Sequence, residues 1–318
     1  MKKKVLVAGG LGFLGCQLVH SLSLQGYALT VIDGLLENTG ANMKNYFHSK
    51  DVNYILEPIE DVHNLKTLVE NHKIIIDCMG WTSHIDAFVS PLYDLELNVA
   101  SHWHIINHLN ENHKVIFLGA RGQYGVSAKE QISEENPLLP IDIQGIHKVA
   151  AESYYRVYAL RQGFTVLSLR IPNCFGPFQK LEGSDIGLIG SMLKDALADN
   201  NIVVYGNHRK RSVLFSIDLA EIIARLITAN TPTGFIPLNI NGLTLPIIEL
   251  ARIITSACAK GTIQVKEIPE EFKSRDSGNE SLTESKIKAL IGELNYTPVE
   301  EALSQTIKYI THHYDLQM

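Results

Sequence analysis

No apolar stretch in this chain of 318 residues reaches the roughly 20 residues that a bilayer-spanning helix needs. No membrane span is therefore expected. The apolar run after Met1-Lys2-Lys3-Lys4 imitates a secretory leader, but Gly9, Gly10, Gly12 and Gly15 interrupt it, and a leader needs an unbroken apolar centre. Cysteine is scarce. Cys16, Cys78, Cys174 and Cys258 show no C-x-x-C spacing, which argues against a zinc site and suits a reducing compartment, the cytoplasm. Positive charge is not in surplus. The 28 Lys and Arg stand against 34 Asp and Glu, a net charge of −6, so general nucleic-acid binding has no electrostatic basis. Internal repeats and low-complexity segments are missing too. What remains is an ordinary globular composition, 45% hydrophobic and 19% charged, in a chain long enough for more than one lobe.

The first two-thirds alternate β-branched runs with helical periodicity. Strands are expected at 4–8, 28–32, 52–56, 73–78, 114–118 and 165–170, and helices at 12–25, 61–71, 91–112 and 142–162. That rhythm predicts an α/β fold, a Rossmann-type doubly wound parallel sheet with helices on both faces. Ile74-Ile75-Ile76 and Val115-Ile116-Phe117-Leu118 are continuous apolar runs, as strands buried on both faces should be. After Arg170 the breakers of Ile171-Pro172-Asn173-Cys174-Phe175-Gly176-Pro177 end the rhythm. Further helices are expected at 186–199, 216–229, 246–259, 283–290 and 299–313, with a short strand at 202–205. This divides the chain into a dinucleotide-binding domain over 1–175 and a smaller α/β substrate-binding lobe over 176–318, with more than one crossing between them.

The first strand runs into Gly9-Gly10-Leu11-Gly12-Phe13-Leu14-Gly15 and then an amphipathic helix. This G-x-x-G-x-x-G spacing permits a tight turn, a close approach of backbone to a pyrophosphate, and close packing of helix on strand. The helix start, with Phe13 and Leu14, then offers unpaired N–H groups to the phosphates. Asp33 ends the second strand, where its carboxylate can accept from adenine-ribose hydroxyls and would repel a 2′-phosphate. No Arg or Lys follows before Lys44, so NAD is favoured over NADP. Asp61-Val62 after the third strand marks an adenine contact, and Met79-Gly80 after the fourth marks backbone lining the cofactor.

Later segments carry a resemblance. Leu97-Asn98-Val99 looks like an Asn-Val segment on the fourth helix, and Gln123-Tyr124-Gly125 like a Tyr-Gly after the fifth strand. Residues 169–177 are similar to Leu-Arg-x-x-Asn-x-Tyr-Gly-Pro. Arg211 through Ala220 is similar to Arg-Asp-Phe-x-x-Val-Asp-Asp-x-x, with Asp218 kept, and Tyr296-Thr297-Pro298 to a closing Trp-x-Pro. Together with the glycine turn and Asp33, these segments resemble the extended short-chain dehydrogenase/reductase family, the NAD-dependent nucleotide-sugar epimerases and dehydratases. The resemblance covers almost the whole chain. It implies that Asn98 lies at the cofactor, that Asn173 and Arg211 hold a nucleotide diphosphate, and that Arg275 completes the nucleotide pocket. A guanidinium fork suits a doubly charged pyrophosphate.

The sequence departs from that pattern at the chemistry. The family's Tyr-x-x-x-Lys reads here as Gln144-Gly145-Ile146-His147-Lys148, and its Ser or Thr after the fifth strand reads as Ala120. An amide takes no proton near neutral pH, and alanine offers no hydrogen bond. Lys148 keeps its place for bonding the nicotinamide ribose. Tyr124, His147 and His84 are the candidate replacement bases, with His84 and Arg121 also placed to bind substrate. His104 and His108 have metal-ligand spacing but no carboxylate motif beside them, so no metal is expected. The expected protein is thus an NAD-dependent epimerase, dehydratase or 4-dehydrogenase acting on a nucleotide-activated sugar. Hydride would leave a sugar carbon, C4 first, and the chain would pair as a homodimer through helices 91–112 and 142–162. The alternative is a protein that binds NAD and nucleotide sugar without turnover.

Overall fold

The protein is described by a computed structural model over residues 2–126, 131–183, 186–206, 209–270, 279 and 281–313. Its centre is a seven-stranded sheet, every pair parallel. In chain order its strands are β1 (Lys4–Ala8), β2 (Ala28–Ile32), β3 (Val52–Ile55), β4 (Ile74–Asp77), β5 (Lys114–Ala120), β7 (Thr165–Ile171) and β11 (Gly234–Asn239). In space they run β11-β7-β5-β4-β1-β2-β3. The pleat sorts β1 between two cores. Val5 and Val7 face α1 (Phe13–Leu24) and α8 (Ser216–Thr228), while Leu6 and Ala8 face α2 (Leu65–Asn71), α5 (Ser101–Ile106) and α6 (Ile143–Gln162). Helices cover both faces, which is why β4, β5 and β7 need no polar alternation. β1 pairs with β2 on one side and with β4 on the other, so the chain leaves the sheet in opposite directions there. Such a switch point opens a crevice at the strands' C-terminal ends.

The second lobe packs two small sheet fragments around its own core. β8 (Asn173–Phe175), β10 (Lys210–Phe215) and β12 (Leu243–Pro246) form one sheet, and β9 (Asn201–Tyr205) pairs with β13 (Thr262–Lys266). Helices α7 (Gly187–Leu197), α9 (Ile247–Cys258) and Val299–His313 cover them. A further fragment pairs β6 (Gln131–Ile132) with β14 (Ser281–Leu282), and its Ile132 and Leu282 pack with Tyr124 in a cluster apart from that core. Between these elements the chain returns to the large sheet, where Leu219, Ile223, Leu226 and Leu238 join the same core as Val5 and Val7.

Several elements differ from the sequence expectation. The helix expected over 91–112 ends earlier and is interrupted. It runs as α4 (Pro91–Leu95), a π-helical turn Glu96–Ala100, and then α5. A short helix, α3 (His84–Val89), had no periodic signal; Ser83 caps it by accepting from the Asp86 N–H at 3.1 Å. The segment expected to begin a helix at 61 is a 3₁₀ turn, Ile59–Asp61, before α2. No described helix is long and apolar enough to cross a membrane.

Candidate active site

A cavity of about 1080 Å³ lies over the switch point and extends between the lobes. Its cofactor end is built by the first turn. Gly9, Gly12, Phe13 and Leu14 all line it. A Cβ at Gly15 would lie 2.0 Å from the Gly9 carbonyl oxygen, so only glycine lets α1 seat on the turn. A Cβ at Gly12 would meet nothing but that same oxygen, at 3.5 Å. The Gly12 face is therefore open toward the cleft, and no side chain caps the start of α1. Unpaired N–H groups at such a helix start can cradle a diphosphate.

Asp33 follows β2 and is nearly buried at the cavity wall. Its two oxygens accept from the Leu11 N–H at 2.8 Å and the Leu35 N–H at 2.9 Å. Burial raises its pKa, and these backbone donors oppose the rise. The Gly12 N–H also acts on the carboxylate, and the roughly four lone-pair sites of its two oxygens leave room for a ribose hydroxyl. Asp61 and Val62 do not reach the cavity. The 3₁₀ turn puts Pro58, Ile59 and Glu60 at the rim, leaves Asp61 exposed and turns Val62 into the core.

Met79 and Gly80 line the middle of the cavity. A Cβ at Gly80 would lie 2.7 Å from both the Asn98 Oδ1 and the Lys148 Nζ. Asn98 is buried outside the cavity lining and grips the loop instead. Its side chain accepts from the Trp81 N–H at 3.1 Å and donates to the Trp81 carbonyl at 2.9 Å. Lys148 does line the cavity, donating to the Met79 carbonyl at 3.2 Å and the Leu118 carbonyl at 3.5 Å. Burial lowers its pKa, while the charges of Asp77 and Asp94 pull it back up.

Gln144, four residues before Lys148, also lines the cavity, but its amide donates to the Trp81 carbonyl at 3.0 Å. Ala120 and Arg121 line the wall beside it. Two of the expected bases are placed elsewhere. The Tyr124 hydroxyl donates to Asn239 at 2.7 Å and accepts from Arg170 at 2.7 Å, inside a buried network away from the cavity lining. Burial raises its pKa, so it stays protonated. His147 turns the other way along α6 and bonds Asp94 at 2.5 Å, outside the cavity lining. His84 does line the cavity, and its Nδ1 lies 3.0 Å from an oxygen of Asp142, which the sequence marked only as a helix start. Asp77 and His102, at 2.6 Å, form another buried pair that sequence spacing missed.

The far end belongs to the second lobe. β8 and β10 run side by side, which brings Asn173 and Arg211 to one wall of the cavity. Asn173 donates to the Ser212 carbonyl at 3.5 Å, and Arg211 to the Lys210 carbonyl at 2.8 Å. Asp218 serves the fold, accepting from the Thr297 N–H and hydroxyl and so fixing the start of the last helix. Arg275 lies outside the described residues.

One cleft thus joins a glycine turn, a carboxylate at the end of β2, a buried lysine and an Asn–Arg wall. Residues 5–240 match the sequence model of the NAD dependent epimerase/dehydratase family. The chain belongs to that family. Within it, UDP-glucuronic acid decarboxylase 1 of Xenopus tropicalis is 24% identical over 317 residues, 97% of this chain and 72% of that protein. The dTDP-D-glucose 4,6-dehydratase of Mus musculus is 26% identical over 260 residues, 79% of this chain and 71% of that protein. Solved structures share the fold. UDP-N-acetylglucosamine 4-epimerase from Methanobrevibacter ruminantium M1, in complex with UDP-N-acetylmuramic acid, superposes with a TM-score of 0.88 at 21% identity, covering 98% of this chain and 99% of that one. UDP-glucuronic acid 4-epimerase from Bacillus cereus, in complex with UDP-glucuronic acid and NAD, gives 0.83 at 18% identity, covering 97% and 99%. The residues present fit the family's cofactor: the open Gly12 face suits its diphosphate, and the Asp33 carboxylate its ribose.

Proposed function

We propose that the protein is a cytoplasmic, NAD-dependent enzyme that oxidises a nucleotide-activated sugar at C4, with an active site that lacks the family's tyrosine. The observation that carries this reading is the single cavity reaching from the Gly12 cradle and Asp33, past Lys148, to Asn173 and Arg211. NAD, when bound, supplies the hydride acceptor. The chain's own residues hold and orient. Asp33 takes the adenine ribose, Lys148 the nicotinamide ribose, and Asn173 with Arg211 the substrate's diphosphate, where a guanidinium forms charge-assisted bonds. Arg121 faces the sugar. The ketone so formed is then reduced from its other face, dehydrated or released.

The test is incubation with NAD and a panel of UDP- and dTDP-sugars, followed by absorbance at the NADH band and mass spectrometry of the sugars. A second reading, a protein that binds both ligands without turnover, is favoured by the tie of Gln144 to Trp81. Ligand binding without any product on this panel would select it. Asp33→Ala is expected to weaken NAD and to narrow its margin over NADP, because the ribose acceptor and the 2′-phosphate repulsion disappear together. Calorimetry with both dinucleotides checks this, and a wild type that prefers NADP would refute the assignment.

The same proposal includes a homodimer. Leu92 and Leu95 of α4, Trp103 of α5, and Tyr154, Val157 and Leu160 of α6 are exposed apolar side chains, Leu160 at 70%. Trp103 packs edge-on against Tyr154 and Tyr158, so the two helices present one continuous face. A patch of this kind is a protein-contact surface. Leu160→Glu with Val157→Glu is expected to yield monomers by light scattering; an unchanged mass would place the contact elsewhere.

A further inference from the structure

We propose that His84 and Asp142 are the acid–base dyad of this active site, His84 exchanging the sugar-hydroxyl proton for which residue 144 has no group. This rests on the nucleotide-sugar reading above and names its base. Both residues line the cavity, on the same stretch of wall as Gln144 and Arg121. They meet because α3 begins at His84 and Asp142 stands at the N-cap of α6. The His84 Nδ1 lies 3.0 Å from the Asp142 Oδ2. A carboxylate at Nδ1 fixes the tautomer with hydrogen on that nitrogen, which puts the basic lone pair on Nε2.

The carboxylate is itself held. Its Oδ1 accepts from the Gly145 N–H at 2.7 Å at the first turn of α6. Burial raises the Asp142 pKa, but the hydrogen bond and charge of His84, the Gly145 N–H and the charge of Arg121 outweigh it, and the net shift is downward. Asp142 is therefore ionised at neutral pH and able to stabilise an imidazolium. Among the described residues, the charge of Arg121, on the turn after β5, acts on Asp142, and Asp86 on α3 accepts from the Ser83 hydroxyl at 2.7 Å.

Gln144 then has a different role. It is a strut between α6 and the loop after β4, which Asn98 grips from behind. The helix turn that carries tyrosine in Tyr-x-x-x-Lys here fixes, through Gln144 and Asp142, the loop that delivers an imidazole. Imidazole is the side chain suited to proton transfer near neutral pH. In the oxidation, the sugar O–H bond breaks and its proton passes to His84 Nε2. The O–H electron pair becomes the carbonyl π bond, and the C–H pair would leave as the hydride that NAD, when bound, accepts. Ketone and imidazolium result, and the reverse step returns the proton.

His84→Asn keeps a donor for Asp142, and Asp142→Asn keeps a helix cap, so both variants should fold. With NAD and UDP-glucose, UDP-glucuronic acid and dTDP-glucose as probes, His84→Asn is expected to lower turnover on the order of 100-fold or more. Sugar-nucleotide affinity by calorimetry should stay within about threefold. Asp142→Asn removes the charge that favours imidazolium, so the acid limb of the pH–rate profile should move to lower pH. Apart from activity, the NMR resonance of the His84 ring should shift when the UDP-sugar binds and not when UDP binds. Wild-type turnover that survives His84→Asn within about threefold would overturn the dyad, as would saturation by UDP-sugar that leaves the His84 resonance unmoved. Binding without turnover in wild type would overturn it as well. No nucleotide-sugar binding at all would instead remove the parent reading, and the dyad with it.

Discussion

Glu152→Ala is expected to destabilise the protein by about 3–5 kcal/mol, a large part of what holds a domain folded. Glu152 is buried on α6, where one oxygen accepts from Arg170 Nη2 at 2.6 Å. The other accepts from Arg170 Nε at 3.1 Å, Ser168 Oγ at 2.7 Å and Gln123 Nε2 at 2.9 Å. Removing the carboxylate strands the Arg170 guanidinium, which is itself only 4% exposed. A buried charge without its counterion carries its full desolvation cost. The damage would spread toward the site, because Gln123 also accepts from the Ala120 N–H and so shapes the turn that presents Arg121. Denaturant unfolding measures the loss. The double variant Glu152→Leu with Arg170→Met should recover most of it, since apolar replacement of a whole buried pair is cheap where half-removal is not. A loss below about 1 kcal/mol in Glu152→Ala, typical of a surface ion pair, would show that the pair is not desolvated.

Lys148→Met is expected to reverse that pattern, with little change in stability and turnover lower on the order of 100- to 1000-fold, the scale of one preorganised donor lost. Methionine matches the aliphatic stem, and the ammonium it removes is one that burial already disfavours. What disappears is the donor anchored on the Met79 and Leu118 carbonyls, facing the cavity between the glycine turn and the Asn173–Arg211 wall. Thermal unfolding and steady-state rates on the same sample separate the two effects. Turnover near the wild-type level would remove Lys148 from the chemistry.

The architecture was legible because its signals are local. An apolar run such as Ile74-Ile75-Ile76 announces a doubly covered strand by itself, and the glycine turn names its own neighbours. The cavity wall was legible where a motif residue reaches it from its own strand end, as at Asp33. It was hidden where two side chains distant in sequence choose each other. Asp142 reads as a helix cap until His84, 58 residues earlier, is brought to it. Tyr124 reads as a base until Arg170, 46 residues later, claims its hydroxyl. Asp77 reads as a strand end until His102, 25 residues on, lies against it inside the core. Short-range periodicity carries no trace of these pairings; the crossover connections make them.

The π turn at Glu96–Ala100 can be seen as a correction of angular phase. Tyr93, before its widest point, and His104, after it, both face the cavity, while Asn98 between them points back to Trp81. An α-helix advances about 100° per residue, and a π turn takes in one residue more than an α turn. Drawing the turn tight would rotate one end of the helix by about that angle against the other. Either Tyr93 would swing off the wall or Asn98 would let go of the loop. The extra residue works like a vernier, keeping two faces of one rod aimed at two targets that an ideal pitch would miss.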